Sequence, residues 1–296
     1  MARSPFFYVG DKYKLVTQFQ SVFPNNINRL FEPFCGGGSV FLNIKAKRYI
    51  ANDNSFYMIQ LHNFLKSYAN KEEQFFFELE SLISKYGLSA SVLGKGVSEE
   101  LKKKFPKTHY AVFNKEAYCK LKKDFNSNKK DLMRLYLLLI YGFNHMLRFN
   151  NAGDFNLPVG DVDYNKNVKQ SVNEYFDFMK KNEVSFYCED FEEFLKHFRF
   201  QSADLIYFDP PYLISNSEYN KNWTIEEEKR LLKLIDSLDK KGIKFALSNV
   251  LTHKNNSNDY LISWAKKYNI YDIKANYISY HDNTIKNSKE VLITNF

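Results

Sequence analysis

Residues 205–212 read LIYFDPPY. Leu205, Ile206, Tyr207 and Phe208 form an apolar, β-branched and aromatic run of the kind that fills the centre of a parallel sheet, where both faces are covered. Pro210 and Pro211 have no N–H to give a ladder, so strand pairing must end at Asp209. In an open α/β sheet, ligands bind in the crevice outside the carboxyl ends of the strands. Asp209 therefore lies at the edge of a site. The prolines stiffen the following turn and leave the Pro210 carbonyl as a fixed acceptor beside a carboxylate, with the Tyr212 ring nearby. Two acceptors and a flat ring suit an exocyclic amino group on an aromatic heterocycle. Taken alone, the same residues also read as an ordinary Asp-Pro turn.

Strand-like and helix-like segments alternate around this stretch. Asn28 to Pro33 (NRLFEP) and Arg48 to Asn52 (RYIAN) read as strands separated by a short helix from Ser39 to Ala46, and Ser55 to Tyr68 reads as the next helix. Farther on, Val184 to Cys188, Leu205 to Phe208, Ile243 to Leu247 and Glu290 to Thr294 read as strands. Helices at Phe191 to Phe198 and Ile225 to Leu238 lie between them. The alternation predicts a parallel, doubly wound sheet. From about Lys71 to Asp163 the pattern turns helical and charge-rich, without an internal repeat. This predicts an insertion into the α/β core, entering after the second βα unit and leaving before a helix near Val168.

With 296 residues, 44% hydrophobic and 17% aromatic, the chain can build one large domain or a core with an inserted second lobe. A net charge of +8 favours an acidic partner such as nucleic acid. Lys, Asn, Phe, Tyr and Ile abound throughout, however, and an A+T-rich genome gives the same bias. The three cysteines, Cys35, Cys119 and Cys188, are far apart and lack metal-ligand spacing. They point to a reducing compartment and no disulfide frame. No histidine pair stands at i, i+4, and no metal is expected. The N-terminal MARSPFFYVG lacks the apolar core of a signal peptide, and no stretch approaches a membrane span. The expectation is a cytoplasmic protein without a membrane partner.

Phe34-Cys35-Gly36-Gly37-Gly38-Ser39 follows a predicted strand and precedes the predicted short helix. Glycines there let the backbone approach a ligand closely. The pattern is neither G-x-G-x-x-G nor a Walker loop, which argues against a phosphate cradle. Asp53 ends the next strand, near the spacing at which an acid takes ribose hydroxyls in dinucleotide folds. An adenosine ligand without a pyrophosphate fits both facts, and S-adenosylmethionine is the candidate; a tight structural turn is the competing reading of the glycines.

Six blocks occur in one order: FYVGDKYKL (Phe7 to Leu15), FEPFCGGGSVF (Phe31 to Phe41), IANDNS (Ile50 to Ser55), RFNNAGDFNLPVG (Arg148 to Gly160), YCEDFEEF (Tyr187 to Phe194) and YFDPPY (Tyr207 to Tyr212). Together they resemble the DNA adenine N6-methyltransferases of the Dam type, the D12 class of the alpha group. In that group the target-recognition region lies between the cofactor and catalytic motifs. The resemblance implies a Rossmann-like S-adenosylmethionine-dependent methyltransferase sheet with an inserted, mainly helical target-recognition domain. Residues 1–69 and 166–296 would be the catalytic core, and 70–165 the insertion, with a β-hairpin at 148–160.

By the same resemblance, Tyr8 and Lys12 match the motif that packs on the cofactor's methionine part, although Gly10-Asp11-Lys12 replaces the commoner Gly-Gly-Lys. Phe34, Gly36 and Gly38 match the loop under the cofactor, and Asp53 the ribose acid. Asp190 and Phe191 match the pair that reads and stacks on its adenine, with Asp209 also at the cofactor. Read without the family, Tyr8 and Phe191 fit a core and Asp190 an N-cap. Asp209, Pro210, Pro211 and Tyr212 become the catalytic tetrad. The adenine N6 lone pair is delocalised into the ring. Asp209 and the Pro210 carbonyl, accepting its two N–H bonds, would return density to nitrogen, and Tyr212 would stack on a flipped base. S-adenosylhomocysteine would be the product. Arg148, Asn150 and Asn151 carry the groups that address phosphates or base edges of double-stranded DNA. A modification enzyme of this kind implies a restriction endonuclease acting on the same site. Ser-Pro-Pro-Tyr would suggest cytosine N4 and Asn-Pro-Pro-Tyr an amide acceptor; Asp209 and the motif order favour adenine. RNA as acceptor and a non-catalytic DNA-recognition subunit are the competing functions.

Overall fold

Leu205–Phe208 is a strand in which all four residues are buried, as an apolar run stopped by prolines requires. The structure is a computed structural model that describes residues 1–214, 223–274 and 288–296. Its elements in chain order are α1 (Val16–Val22), β1 (Ile27–Glu32), β2 (Ala46–Asn52), α2 (Phe56–Ser67), α3 (Glu72–Tyr86), α4 (Glu99–Lys104), α5 (His109–Ser127) and α6 (Leu132–Tyr141). They continue with α7 (Lys166–Lys181), β3 (Glu183–Tyr187), α8 (Phe191–Lys196), β4 (Leu205–Phe208), α9 (Ile225–Asp239), β5 (Lys244–His253), β6 (Asn256–Ser257), α10 (Asp259–Ala265), β7 (Asn269–Ile273) and β8 (Ser288–Thr294).

The strands form one sheet of order β3-β2-β1-β4-β5-β8-β7, with the short β6 paired to β5. Strands β1 to β5 run parallel, Phe31 lying beside Ile50 and Ile206, and Phe208 beside Leu247. The last strand, β8, is antiparallel to both β5 and β7. Every strand expected from the sequence is present. β7 has no counterpart in that reading: its Ile270, Tyr271 and Ile273 do not alternate with polar residues, and four of its five positions are exposed. The helix expected from Ser39 to Ala46 does not form. A single turn closed by Leu42 N–H on the Gly38 carbonyl (3.2 Å) stands there, and β2 already begins at Ala46. Too few residues remain to repay helix nucleation.

The chain divides into two compact units. One comprises Lys12–Cys35, Asn43–Asn54 and Asn182–Phe296 and holds the whole sheet. On one face, Phe208, Leu247 and Ile293 pack with Phe194, Leu231, Ile235 and Leu261 from α8, α9 and α10. Side chains alternate across a strand, so Tyr207 points the other way, to Phe19 and Phe23 at the α1 face (centroids 5.6 and 5.7 Å). The other unit comprises Met1–Asp11, Gly36–Leu42 and Ser55–Lys181 and is helical. Leu135 to Tyr141 of α6 are all buried, which makes α6 its central helix, packed by α2, α3 and α5.

Candidate active site

At the carboxyl end of β4, Asp209 Oδ2 pairs with Lys12 Nζ at 2.7 Å, the two side chains being 17% and 7% exposed. The Tyr212 hydroxyl lies 3.1 Å from Asp209 Oδ1 and 3.1 Å from Glu290 Oε1. A phenol has one hydrogen, so it donates to one carboxylate at a time. Lys12 Nζ stands 5.1 Å over the Tyr212 ring. Glu290 is buried on β8 beside Val250, brought to this end of the sheet because β8 runs antiparallel to β5. A carboxylate inside a sheet is costly unless it is partnered, and Tyr212 is one partner. Below, burial and then the Asp209 charge push the Tyr207 phenol well above its ordinary value. Tyr207 stays neutral, hydrogen-bonded to Ser248 at 2.8 Å.

Asn52, the last residue of β2, ties neighbouring strand ends together. Its amide donates to the Pro33 and Glu189 carbonyls, both at 3.0 Å, and its Oδ1 accepts the Glu189 N–H at 3.0 Å. This fixes the residue directly before each of three expected site residues, Phe34, Asp53 and Asp190. Asp53 is half-buried, its N–H on the Tyr187 carbonyl at 3.3 Å. Phe34 packs on Phe191 (5.2 Å between centroids) and edge-on to Trp223 (5.7 Å). Phe191 is 4% exposed and belongs to the core, and the Arg230 guanidinium covers it at 4.4 Å. Both Asp190 oxygens are engaged: Oδ1 caps α8 through the Glu192 N–H (2.9 Å), and Oδ2 takes Arg230 at 2.5 Å. Between the strand ends, burial and the charges of Asp53 and Glu32 push the Cys35 thiol well up, so it remains protonated.

In the helical unit, Gly36 (φ +47°) and Gly38 (φ +82°) adopt left-handed backbone. Glycine is required at 38, where a Cβ would lie 2.4 Å from the Phe41 ring. All three glycine carbonyls are hydrogen-bonded: Gly36 to His62 Nε2 (2.8 Å), Gly37 to the Ser4 hydroxyl (2.5 Å) and Gly38 to Leu42 N–H (3.2 Å). Tyr8 is half-buried against this turn, its Cβ 3.0 Å from where a Gly37 Cβ would stand. Asp11, which replaces the commoner glycine, accepts from the Ser39 hydroxyl.

The 148–160 segment doubles back without regular strands. Antiparallel bridges join Phe149 to Phe155 and Gly142 to Val159. Backbone bonds still pair across the turn, Asn150 N–H to the Asp154 carbonyl (2.9 Å) and Asn156 N–H to the Arg148 carbonyl (3.0 Å), while the Asn126 side chain takes the outward-facing Phe155 N–H (2.9 Å) and carbonyl (3.1 Å). Arg148 donates to Asn156 Oδ1 (2.9 Å) and its carbonyl (3.0 Å), and Asn150 Oδ1 accepts the Asp154 N–H (2.9 Å), so both brace the turn. Asn151 is exposed at its tip.

The sheet unit therefore brings together Lys12, Asp209 and Tyr212, and separately Phe34, Asp190 and Phe191. Tyr8 lies with Gly36 and Gly38, and Arg148, Asn150 and Asn151 lie on one turn. Sequence reasoning missed Glu290, Asn52, Trp223, Arg230 and His62. A polar residue within an apolar run was the available signal for Glu290 and Asn52; Trp223 and Arg230 carried none. Among the described residues, no group of three or more His, Cys, Asp or Glu side chains could hold a metal ion.

A mixed α/β fold with a central, mostly parallel sheet is the fold of the S-adenosylmethionine-dependent methyltransferases. Residues 8–278 match the D12 class N6 adenine-specific DNA methyltransferases, and the chain belongs to that family. It is 35% identical over 306 residues to the type II methyltransferase M.FokI of Planomicrobium okeanokoites, covering 99% of this chain and 43% of that protein. It is 32% identical to the modification methylase StsI of Streptococcus sanguinis over 99% of this chain and 43% of that one. To the DNA adenine methylase of Escherichia coli K12 it is 28% identical over 251 residues, 82% of this chain and 78% of the relative. The chain thus spans less than half the length of the first two relatives and most of the third.

Proposed function

We propose that this chain transfers a methyl group from S-adenosylmethionine to the N6 amino group of adenine in a short duplex DNA target, acting on a flipped base. The observation that carries this is Asp209 and Tyr212 in hydrogen-bond contact directly beyond buried β4, in a chain of the D12 family. When bound, S-adenosylmethionine supplies a methyl group already activated on a sulfonium. The residues present suit that cation: Asp53, Asp209 and Glu290 lie at the strand ends, with Lys12 paired to Asp209. Tyr8, Lys12, Phe34, Gly36, Gly38, Asp53, Asp190 and Phe191 are assigned to the cofactor.

Asp209 and the Pro210 carbonyl accept the two N–H bonds of the amino group, restoring density to nitrogen and stabilising the positive charge that develops there. Lys12 shares Asp209 and holds its carboxylate in place until the amino group arrives. Pro210 and Pro211 keep the turn stiff, so little reorganisation is needed at the moment of transfer. Tyr212 stacks on the extruded base and replaces part of its lost stacking. Residues 70–165 act as the target-recognition region, with Arg148, Asn150 and Asn151 toward the DNA. The relatives named type II and modification methylases support a place beside a restriction endonuclease of the same target, in the cytoplasm where DNA is available. Methylation-sensitive sequencing of DNA from cells expressing this chain alone tests the reading. Adenine methylation in one recurrent short sequence supports it, and unmodified DNA contradicts it.

A further inference from the structure

We propose that His62, seconded by Ser4 and Tyr175, is a positioning residue that sets the glycine turn for S-adenosylmethionine. This deepens the function proposed above and rests on it. His62 is fully buried on α2, and its Nε2 lies 2.8 Å from the Gly36 carbonyl. A carbonyl only accepts, so Nε2 carries the proton. In a neutral ring Nδ1 is then an acceptor, and it takes the Tyr175 hydroxyl at 2.9 Å. Burial, opposed only in part by the Gly36 carbonyl, lowers the His62 pKa to about 4, so the ring is neutral near pH 7. The Gly36 carbonyl thus fixes the tautomer, and the Tyr175 hydroxyl, which also lies 3.3 Å from the His62 carbonyl, meets the remaining ring nitrogen.

The contact falls where the backbone most needs support. Gly36 and Gly38 both have positive φ, a conformation that a glycine chain leaves easily because it has so many others. His62 from α2 holds the first carbonyl and Ser4 from the N-terminal segment holds the second. The ring also packs beneath the turn, its Cε1 3.1 Å from where a Gly38 Cβ would stand. Phe6 meets it edge-on at 4.7 Å, which fixes the imidazole plane. A loop held before the ligand arrives binds it without paying to order it.

The test is calorimetric titration of the full chain with S-adenosylmethionine for wild type, His62→Gln, His62→Leu, Ser4→Ala and Tyr175→Phe. One hydrogen bond to the loop predicts affinity weakened roughly three- to tenfold in His62→Leu and less in Ser4→Ala and Tyr175→Phe. His62→Gln keeps a donor and should lie within about twofold of wild type. In steady-state methylation the change should appear in KM for the cofactor more than in kcat. Cooperatively melting His62→Leu with wild-type affinity overturns the proposal. If His62→Leu fails to fold, wild-type affinity in both Ser4→Ala and Tyr175→Phe overturns it. A wild-type chain that binds no S-adenosylmethionine instead sinks the functional reading beneath it.

Discussion

Asp209 holds a lysine and a tyrosine hydroxyl at once, and its neighbour Glu290 competes for that hydroxyl. Its removal should strike chemistry far more than cofactor binding, which keeps its other assigned contacts at Tyr8, Phe34, Asp53, Asp190 and Phe191. Asp209→Ala should lower single-turnover methyl transfer roughly 100- to 1000-fold, while calorimetry still registers S-adenosylmethionine. Asp53→Ala should do the reverse, weakening cofactor affinity by about 1–3 kcal/mol, the range for hydrogen bonds to a charged group. Unchanged affinity would return Asp53 to a structural role. His62 gives a pH dependence. Its pKa falls from 6.5 to about 4 on folding, so the unfolded chain binds more protons between those values. Its stabilising contribution is intact above about pH 6.5 and declines as pH falls toward 4, by about 3 kcal/mol at most. Urea titrations at pH 7.5 and 5 should show a smaller loss in His62→Gln than in wild type; equal losses would refute the assignment. At this scale the tetrad was legible because prolines and a strand end are local facts. Arg230 was not, because its position follows from α9 packing, and Glu290 was flagged only as a polar residue in an apolar run, its contact with Tyr212 depending on how β8 pairs.

At the scale of elements, the glycine turn and the 148–160 segment each departed from the periodic reading. Ser39 to Ala46 has helical composition, yet β2 begins too early for a helix to close. The second segment keeps a hairpin's paired backbone bonds around Phe149 and Phe155 without extending into regular strands, and Asn126 satisfies the outward-facing Phe155 backbone. Gly38→Ala should cost roughly 1–3 kcal/mol in a denaturant titration, from a positive φ together with the clash on Phe41. Wild-type stability would contradict the geometry. Arg148 braces its own turn through Asn156, so Arg148→Ala tests the element as much as the residue. If Arg148 holds a phosphate, binding should weaken similarly on all duplexes and the log-affinity versus log-salt slope should fall by about one. A loss of ~1–3 kcal/mol confined to one position of the target would make it a base reader instead. Wild-type affinity and discrimination would move the recognition surface to the helices from Lys71 to Asn144.

For the molecule as a whole, the alternating pattern was enough to anticipate the parallel sheet, because buried strands and amphipathic helices differ in period. The antiparallel edge escaped it, since hydrophobic period carries no strand direction for β8 and β7 (NIYDI) does not alternate. The compact units place Met1–Asp11 and Gly36–Leu42 with the helices, an allegiance set by contacts such as Ser4 to Gly37 that join residues far apart in sequence. The assignment of residues 1–69 with 166–296 to catalysis and of 70–165 to target recognition remains a proposal. Sulfonium chemistry needs no Lewis acid, so methyl transfer should persist undiminished in chelator; a loss restored by a divalent cation would contradict this. The most direct measurement is mass spectrometry of nucleosides from duplex DNA incubated with the purified chain and methyl-labelled S-adenosylmethionine, beside Asp209→Ala. The label should appear in N6-methyl-2′-deoxyadenosine with the wild-type chain and be nearly absent with the variant. Label in N4-methyl-2′-deoxycytidine, or equal labelling by Asp209→Ala, would contradict the account.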